Sequence, residues 1–259
     1  MSRYKKLITN TLIFTISEFA SKFLMFFMLP LYTSYMNSGD YGISDLINTT
    51  INLIIPILTL SIFSSVMRFC LESYSNKTQA FMIGLKITLL GIVVLLFMYP
   101  ILKRFESISN YLMLFYLMYI ANALDLLFSH FARGLSKIKV LGITGIIKTL
   151  MVIVLNIIFL ARLNMGIKGY MLSYILASFA SAILLAVSLK FWEYLSFEKP
   201  DKELKEEMIK YSLPLIPNSL SWWLNNSANR YIYATRKNIV ANEKRCTIFY
   251  SKVGKTCSE

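Results

Sequence analysis

The sequence predicts an all-α, polytopic membrane helix bundle, and three observations carry that reading. The 259 residues are 56% hydrophobic and 16% charged, with a mean hydropathy of +0.56, whereas a soluble domain is about 45–50% apolar. The apolar residues gather into runs of about 20, long enough at ~1.5 Å per helical residue to cross a hydrocarbon core of about 30 Å. The basic residues, 27 Lys and Arg against 14 Asp and Glu for a net charge of +13, fall mainly between those runs. Six transmembrane helices and a partial seventh are expected.

The first span is Leu7 to Tyr32, followed by a polar hairpin and a second helix. It resembles a secretory signal in having Arg3, Lys5 and Lys6 ahead of an apolar run, but it is too long and lacks a small-residue cleavage site, so an uncleaved span is expected. Glu18 and Lys22 lie inside it, four residues apart, where an ion costs about 2.5–3.5 kcal/mol to insert at a helix centre. Their face therefore looks into protein or water. Further spans are expected near Ile43 to Met67, Ala80 to Leu102, Tyr111 to Ala132, Val140 to Leu160 and Ile167 to Phe191. Residues 1–191 thus form one transmembrane lobe, and short connections make successive helices antiparallel neighbours.

From Trp192 to Lys210 the composition changes to a charged amphipathic linker with Pro200 and Asp201 at its turn, a segment suited to lying on a membrane surface. Residues 211–233 open a seventh, less apolar stretch, its first turns loosened by Pro214 and Pro217, with Ser221, Asn225 and Asn229 on one stripe. Residues 234–259 read as a polar tail of low order.

Lys and Arg set the orientation. The N-terminus, the second and fourth connections, Lys190 at the end of the sixth span and the 192–210 linker carry thirteen, and the opposite side carries Lys103, Arg104, Arg162 and Lys168. By the positive-inside rule the N-terminus is cytoplasmic.

Polar residues within the spans recur at helical spacing. Asp45, Asn48 and Asn52 do so with Pro56 in the second span, and Asn122, Asp125, Ser129 and Arg133 in the fourth. Thr144, Lys148 and Asn156 mark the fifth; Tyr174, Ser178, Ser181 and Ser188 mark the sixth. Lys86 sits near enough to its helix end to snorkel, and His130 reads as interfacial packing. Two readings of these stripes stand side by side. One is interhelical glue, including ion pairs of Glu18 with Lys22 or Asp125 with Lys148; the other is a hydrated path for a polar or anionic solute, since intramembrane ions are rare.

Other chemistry is not visible. Cys70, Cys246 and Cys257 match no zinc spacing, and no cofactor is expected. GITGIIKT at Gly142 to Thr149 has the wrong glycine spacing for a phosphate loop and lies in a span. Nucleic-acid binding is excluded because no basic, aromatic-studded soluble surface is available.

Two stretches carry a resemblance. LPLYT at Leu29 to Thr33 followed by DYGISDL at Asp40 to Leu46 resembles the first hairpin of the oligosaccharide flippases of polysaccharide biosynthesis, within the multidrug/oligosaccharidyl-lipid/polysaccharide exporter superfamily. YSLPLIPNSLSWWLNNSANRYI at Tyr211 to Ile232 resembles the opening of that family's second half, where Asp, Arg and Tyr commonly end the seventh helix; here the triplet is Asn229, Arg230, Tyr231. The likeness covers Ser2 to Tyr233. It implies that residues 1–191 are the N-terminal lobe of a two-lobe transporter in the cell membrane, moving an oligosaccharide on a polyprenyl pyrophosphate from the inner to the outer leaflet. Lys22, Lys148 and Arg230 are then candidate cations for the pyrophosphate, and Glu18 and Asp125 offset them or carry a coupled cation. Asn48, Asn52 and Asn225 are further candidates for the substrate-binding cavity. Energy would come from an ion gradient or from consumption of the product.

The competing readings are a multidrug or cation exporter of the same superfamily and a membrane-embedded glycosyltransferase or polymerase. The latter needs a large outer loop or a carboxylate-rich cytoplasmic one, while the outer loops here are short. After Tyr233, six basic residues from Arg236 to Lys255 fall on the side that a completed seventh span would place outside. Thr247 to Lys252 can be encoded so that, one base later, the codons give Leu, Tyr, Ser, Ile, Ala and Lys or Asn, a pattern resembling the family's continuation. A frameshift that replaces the second lobe with an unrelated tail is therefore expected, leaving half a transporter.

Overall fold

The computed structural model describes residues 28–72, 76–104, 109–195, 201–221 and 223–225, together with Thr15, Phe19, Lys22, Phe23 and Phe26. The described residues are helical, with no strand among them. The chain is an all-α membrane bundle. Most of the first span, the end of the seventh stretch and the tail from Ala234 lie outside the described residues, as do Glu18 and Arg230.

The helices run in order as α1 (Met28–Tyr35), α2 (Ser38–Leu58), α3 (Ile62–Leu71), α4 (Lys77–Phe97), α5 (Tyr99–Leu102), α6 (Leu112–Gly134), α7 (Ile138–Asn156), α8 (Gly166–Leu189) and α9 (Lys202–Ser212). A wider turn, Ile157–Arg162, extends α7, and a tight one, Phe191–Tyr194, follows α8. Five segments are long and apolar enough to cross a membrane: Gly39–Leu58, Lys77–Phe97, Leu112–Gly134, Ile138–Arg162 and Gly166–Leu189. The protein is therefore multi-pass.

The second span differs from the continuous helix expected over Ile43 to Met67. It breaks between α2 and α3, where Leu60 and Ser61 take left-handed φ of 52° and 51°. Pro56, inside the last turn of α2, has no N–H to donate to the preceding turn. The Ser61 amide instead reaches back to the Pro56 carbonyl at 2.9 Å, and the Thr59 hydroxyl donates to Ile55 O at 2.7 Å. Two consecutive left-handed residues without glycine cost roughly 1–2 kcal/mol each; full burial of Thr59, Ile62 and Val66 holds them. Pro100 acts similarly in the third span, where α4 ends at Phe97 and only the single turn α5 follows.

Close helix approach relies on small residues, as expected where lipid supplies no hydrophobic drive between helices. A Cβ on Gly84 of α4 would clash with Val66 Cγ2, and one on Gly134 of α6 would lie 2.6 Å from Cys70 Cβ, so α3 seats directly on both backbones. On α8, Ala177, Ser178, Ser181 and Ala182 are buried where it packs on α6 and α7. The opposite faces are apolar and open: Ile143, Ile147, Leu150, Val154 and Ile157 form an exposed stripe along α7. That stripe spans about 21 Å at ~1.5 Å per residue, as a lipid-facing flank requires.

Candidate functional site

Asp125 and Asn122 of the polar stripe on α6 turn toward α7 and α8. Lys148 of α7 donates from Nζ to Asp125 Oδ2 of α6 at 2.7 Å, with side-chain exposures of 27% and 12%. One turn earlier on α6, Asn122 Oδ1 accepts from the Ser178 hydroxyl of α8 at 3.1 Å. A hydrogen-bonded pair and an ion pair thus tie three spans together.

Asp125 Oδ1 is buried and without a hydrogen-bond partner among the described residues. A buried carboxylate with one oxygen satisfied and the other not is costly. Lys148 keeps part of its side chain exposed. The chemistry this seam offers is one fixed cation, one carboxylate and neighbouring amide and hydroxyl groups. Thr144 and Thr149, on the same helix as Lys148, spend their hydroxyls on their own backbone, at Val140 O and Gly145 O.

Other candidates are placed less centrally. Asn48 of α2 is half-buried, whereas Lys22, Asn52 and Asn225 are exposed. Among the described residues, the bond between Asp125 and Lys148 brings two of the candidates together. Lys86 is exposed on α4, and the His130 ring lies 6.1 Å from that of Phe63, its Nδ1 without a hydrogen-bond partner among the described residues. Ser188 is exposed, unlike Ser178 and Ser181 on the same helix.

A second polar cluster was not legible as a unit. Asn156, fully buried at the end of α7, donates to Tyr32 Oη of α1 at 3.2 Å and to Val152 O at 2.9 Å. Tyr32 packs edge-on against Tyr170 of α8 at 5.3 Å between ring centroids, and Tyr170 lies 4.7 Å from Tyr174. The spacing of Tyr170 and Tyr174 by one turn was the available signal; their partner, Tyr32, sits more than a hundred residues away.

Comparison with known proteins gives one family. A family model described as polysaccharide biosynthesis protein matches residues 7–254. The match continues past Tyr233, so the family pattern includes most of the stretch that its charge had set apart as unrelated. No curated protein matches, and no solved structure matches.

Proposed function

The chain belongs to the polysaccharide biosynthesis protein family, and from that premise we propose that it is a flippase, a transporter and not an enzyme. It moves a polyprenyl-pyrophosphate-linked oligosaccharide across the cell membrane for assembly of a surface polysaccharide such as O-antigen, capsule or exopolysaccharide. The observation that carries this reading is the Asp125–Lys148 seam within a multi-pass bundle of that family. A pyrophosphate needs fixed cations and a sugar needs many hydrogen-bond partners, while the lipid tail stays in the bilayer. Lys148, with Lys22 and Arg230, supplies the cations; Asn48, Asn52 and Asn225 supply amides; Glu18 and Asp125 offset the charge of the empty cavity or carry a coupled ion. Residues 1–191 act as one lobe with a cytoplasmic N-terminus, 192–210 as its cytoplasmic linker and 211–233 as the start of the second.

The test is expression in cells that lack their own flippase and accumulate the lipid-linked sugar on the inner leaflet. Appearance of that sugar on the outer leaflet, read by an impermeant lectin and lowered at least several-fold by Lys148→Ala, is the expected outcome. Unchanged lectin binding with export of small apolar cations would replace the reading with drug export.

A further inference from the structure

The charged linker helix α9 is docked, and the docking is specific. Its inward positions Leu204, Met208, Tyr211 and Ser212 recur at helical spacing, with Met208 and Ser212 fully buried. The Ser65 hydroxyl of α3 donates to the Met208 carbonyl at 2.7 Å, across 143 residues of chain. The Arg68 guanidinium, 3.0 Å from Glu72, lies over the Tyr211 ring at 4.3 Å from its centroid. Lys202, Lys205, Glu206 and Lys210 face water. The apolar stripe that suits a membrane surface is thus spent on protein. α3 in turn sits on Gly84 of α4 and Gly134 of α6, with no space for a methyl group.

The chain beyond α9 is built differently. The Leu213 amide donates to Ile209 O at 2.9 Å, then the Ile216 amide donates to Leu213 O at 3.2 Å, a tighter turn. Pro214 and Pro217 have no N–H to give to the carbonyls of Lys210 and Leu213. Helical hydrogen bonding is therefore weakened over 213–217, whereas α9 itself is fixed by side chains on α3.

We propose that α9 is a brace belonging to the transmembrane lobe, fixed to α3 by the Ser65–Met208 and Arg68–Tyr211 contacts, and that the flexing joint of the linker is Leu213–Pro217. In this arrangement the linker does not slide on the membrane; motion of the chain after α9 begins at the two prolines. The part concerning transport rests on the flippase reading, and the part concerning the brace does not.

Amide hydrogen exchange on the full chain in nanodiscs tests the brace without any transport assay. α9 amides should exchange as slowly as those of α3, and at least tenfold more slowly than the amides of Leu215 and Ile216, which lie between the two prolines. Ser65→Ala and, separately, Tyr211→Leu should speed exchange in α9 while leaving α6 and α8 unchanged. Fast exchange throughout α9 in the unmodified chain would overturn the proposal, as would no response to either substitution. Where lectin-detected flipping is present, a Ser65→Cys, Met208→Cys cross-link should leave it within twofold, and Pro214→Ala with Pro217→Ala should lower it several-fold. A cross-link that abolishes flipping, reversibly on reduction, would show that α9 must detach and overturn the fixed brace. Absence of flipping in the unmodified chain would count against the flippase reading while the exchange result still decides the brace.

Discussion

The seam between α6 and α7 and the outer flank of α4 each hold a lysine in an apolar helix, and the two are handled in opposite ways. Lys148 is paired at 2.7 Å with a carboxylate on the next helix. Lys86 is exposed on a flank that also shows Leu89, Leu90 and Val93, about 14 Å along the helix from Lys77 at ~1.5 Å per residue. Its flexible stem can carry the ammonium toward the headgroups. A lysine within a span is therefore not by itself the mark of a site. What distinguishes Lys148 is a partner from another element and a partly closed surround.

The contrast is broken most directly at Asp125. Asp125→Ala leaves the Lys148 charge uncompensated and should destabilise the protein by about 2–3 kcal/mol, less than the ~3–5 of a fully buried pair because Lys148 keeps some exposure. Reversible unfolding in mixed detergent micelles measures it. Asp125→Leu combined with Lys148→Met should recover most of that loss; a double variant as unstable as the sum of the two singles would mean that the groups do not act as a pair.

Gly134→Ala comes next. A methyl group there meets Cys70 Cβ and the Met67 carbonyl, so α3 and α6 must part, at a cost of about 1–3 kcal/mol by the same measurement. A neutral result would show the α3 seat to be soft and would remove one support of the brace. Asn156→Ala, which deletes the donor to Tyr32, should cost about 1 kcal/mol; a loss of flipping without that loss of stability would move the tyrosine cluster from packing to function. Lys86→Ala should change stability by less than about 0.5 kcal/mol, as at an ordinary exposed position. A larger effect would erase the distinction between the two lysines.

Helix positions were legible because each span is a long apolar run, and burial against lipid or helix rewards such a run wherever its neighbours lie. The expected spans near Tyr111 to Ala132 and Ile167 to Phe191 correspond closely to Leu112–Gly134 and Gly166–Leu189. The pairing of Asp125 with Lys148 was legible too, as one of two readings, because opposite charges on adjacent spans leave few better partners. The break after Leu58 was harder to read. Pro56 signals that a helix is weakened, yet a left-handed leucine is accepted only because Thr59, Ile62 and Val66 are buried by other helices.

The sequence by itself determined that this chain is a multi-pass helical membrane protein and which residues are too polar for lipid. Composition and periodicity are local properties, and transfer into a bilayer acts on them segment by segment. Tertiary structure alone decided which polar groups meet: Ser178 with Asn122, Asn156 with Tyr32, and Ser65 with the backbone of α9. Each of these joins residues more than fifty positions apart, and a hydroxyl or amide carries no information about its partner until packing brings the two within 3 Å or so.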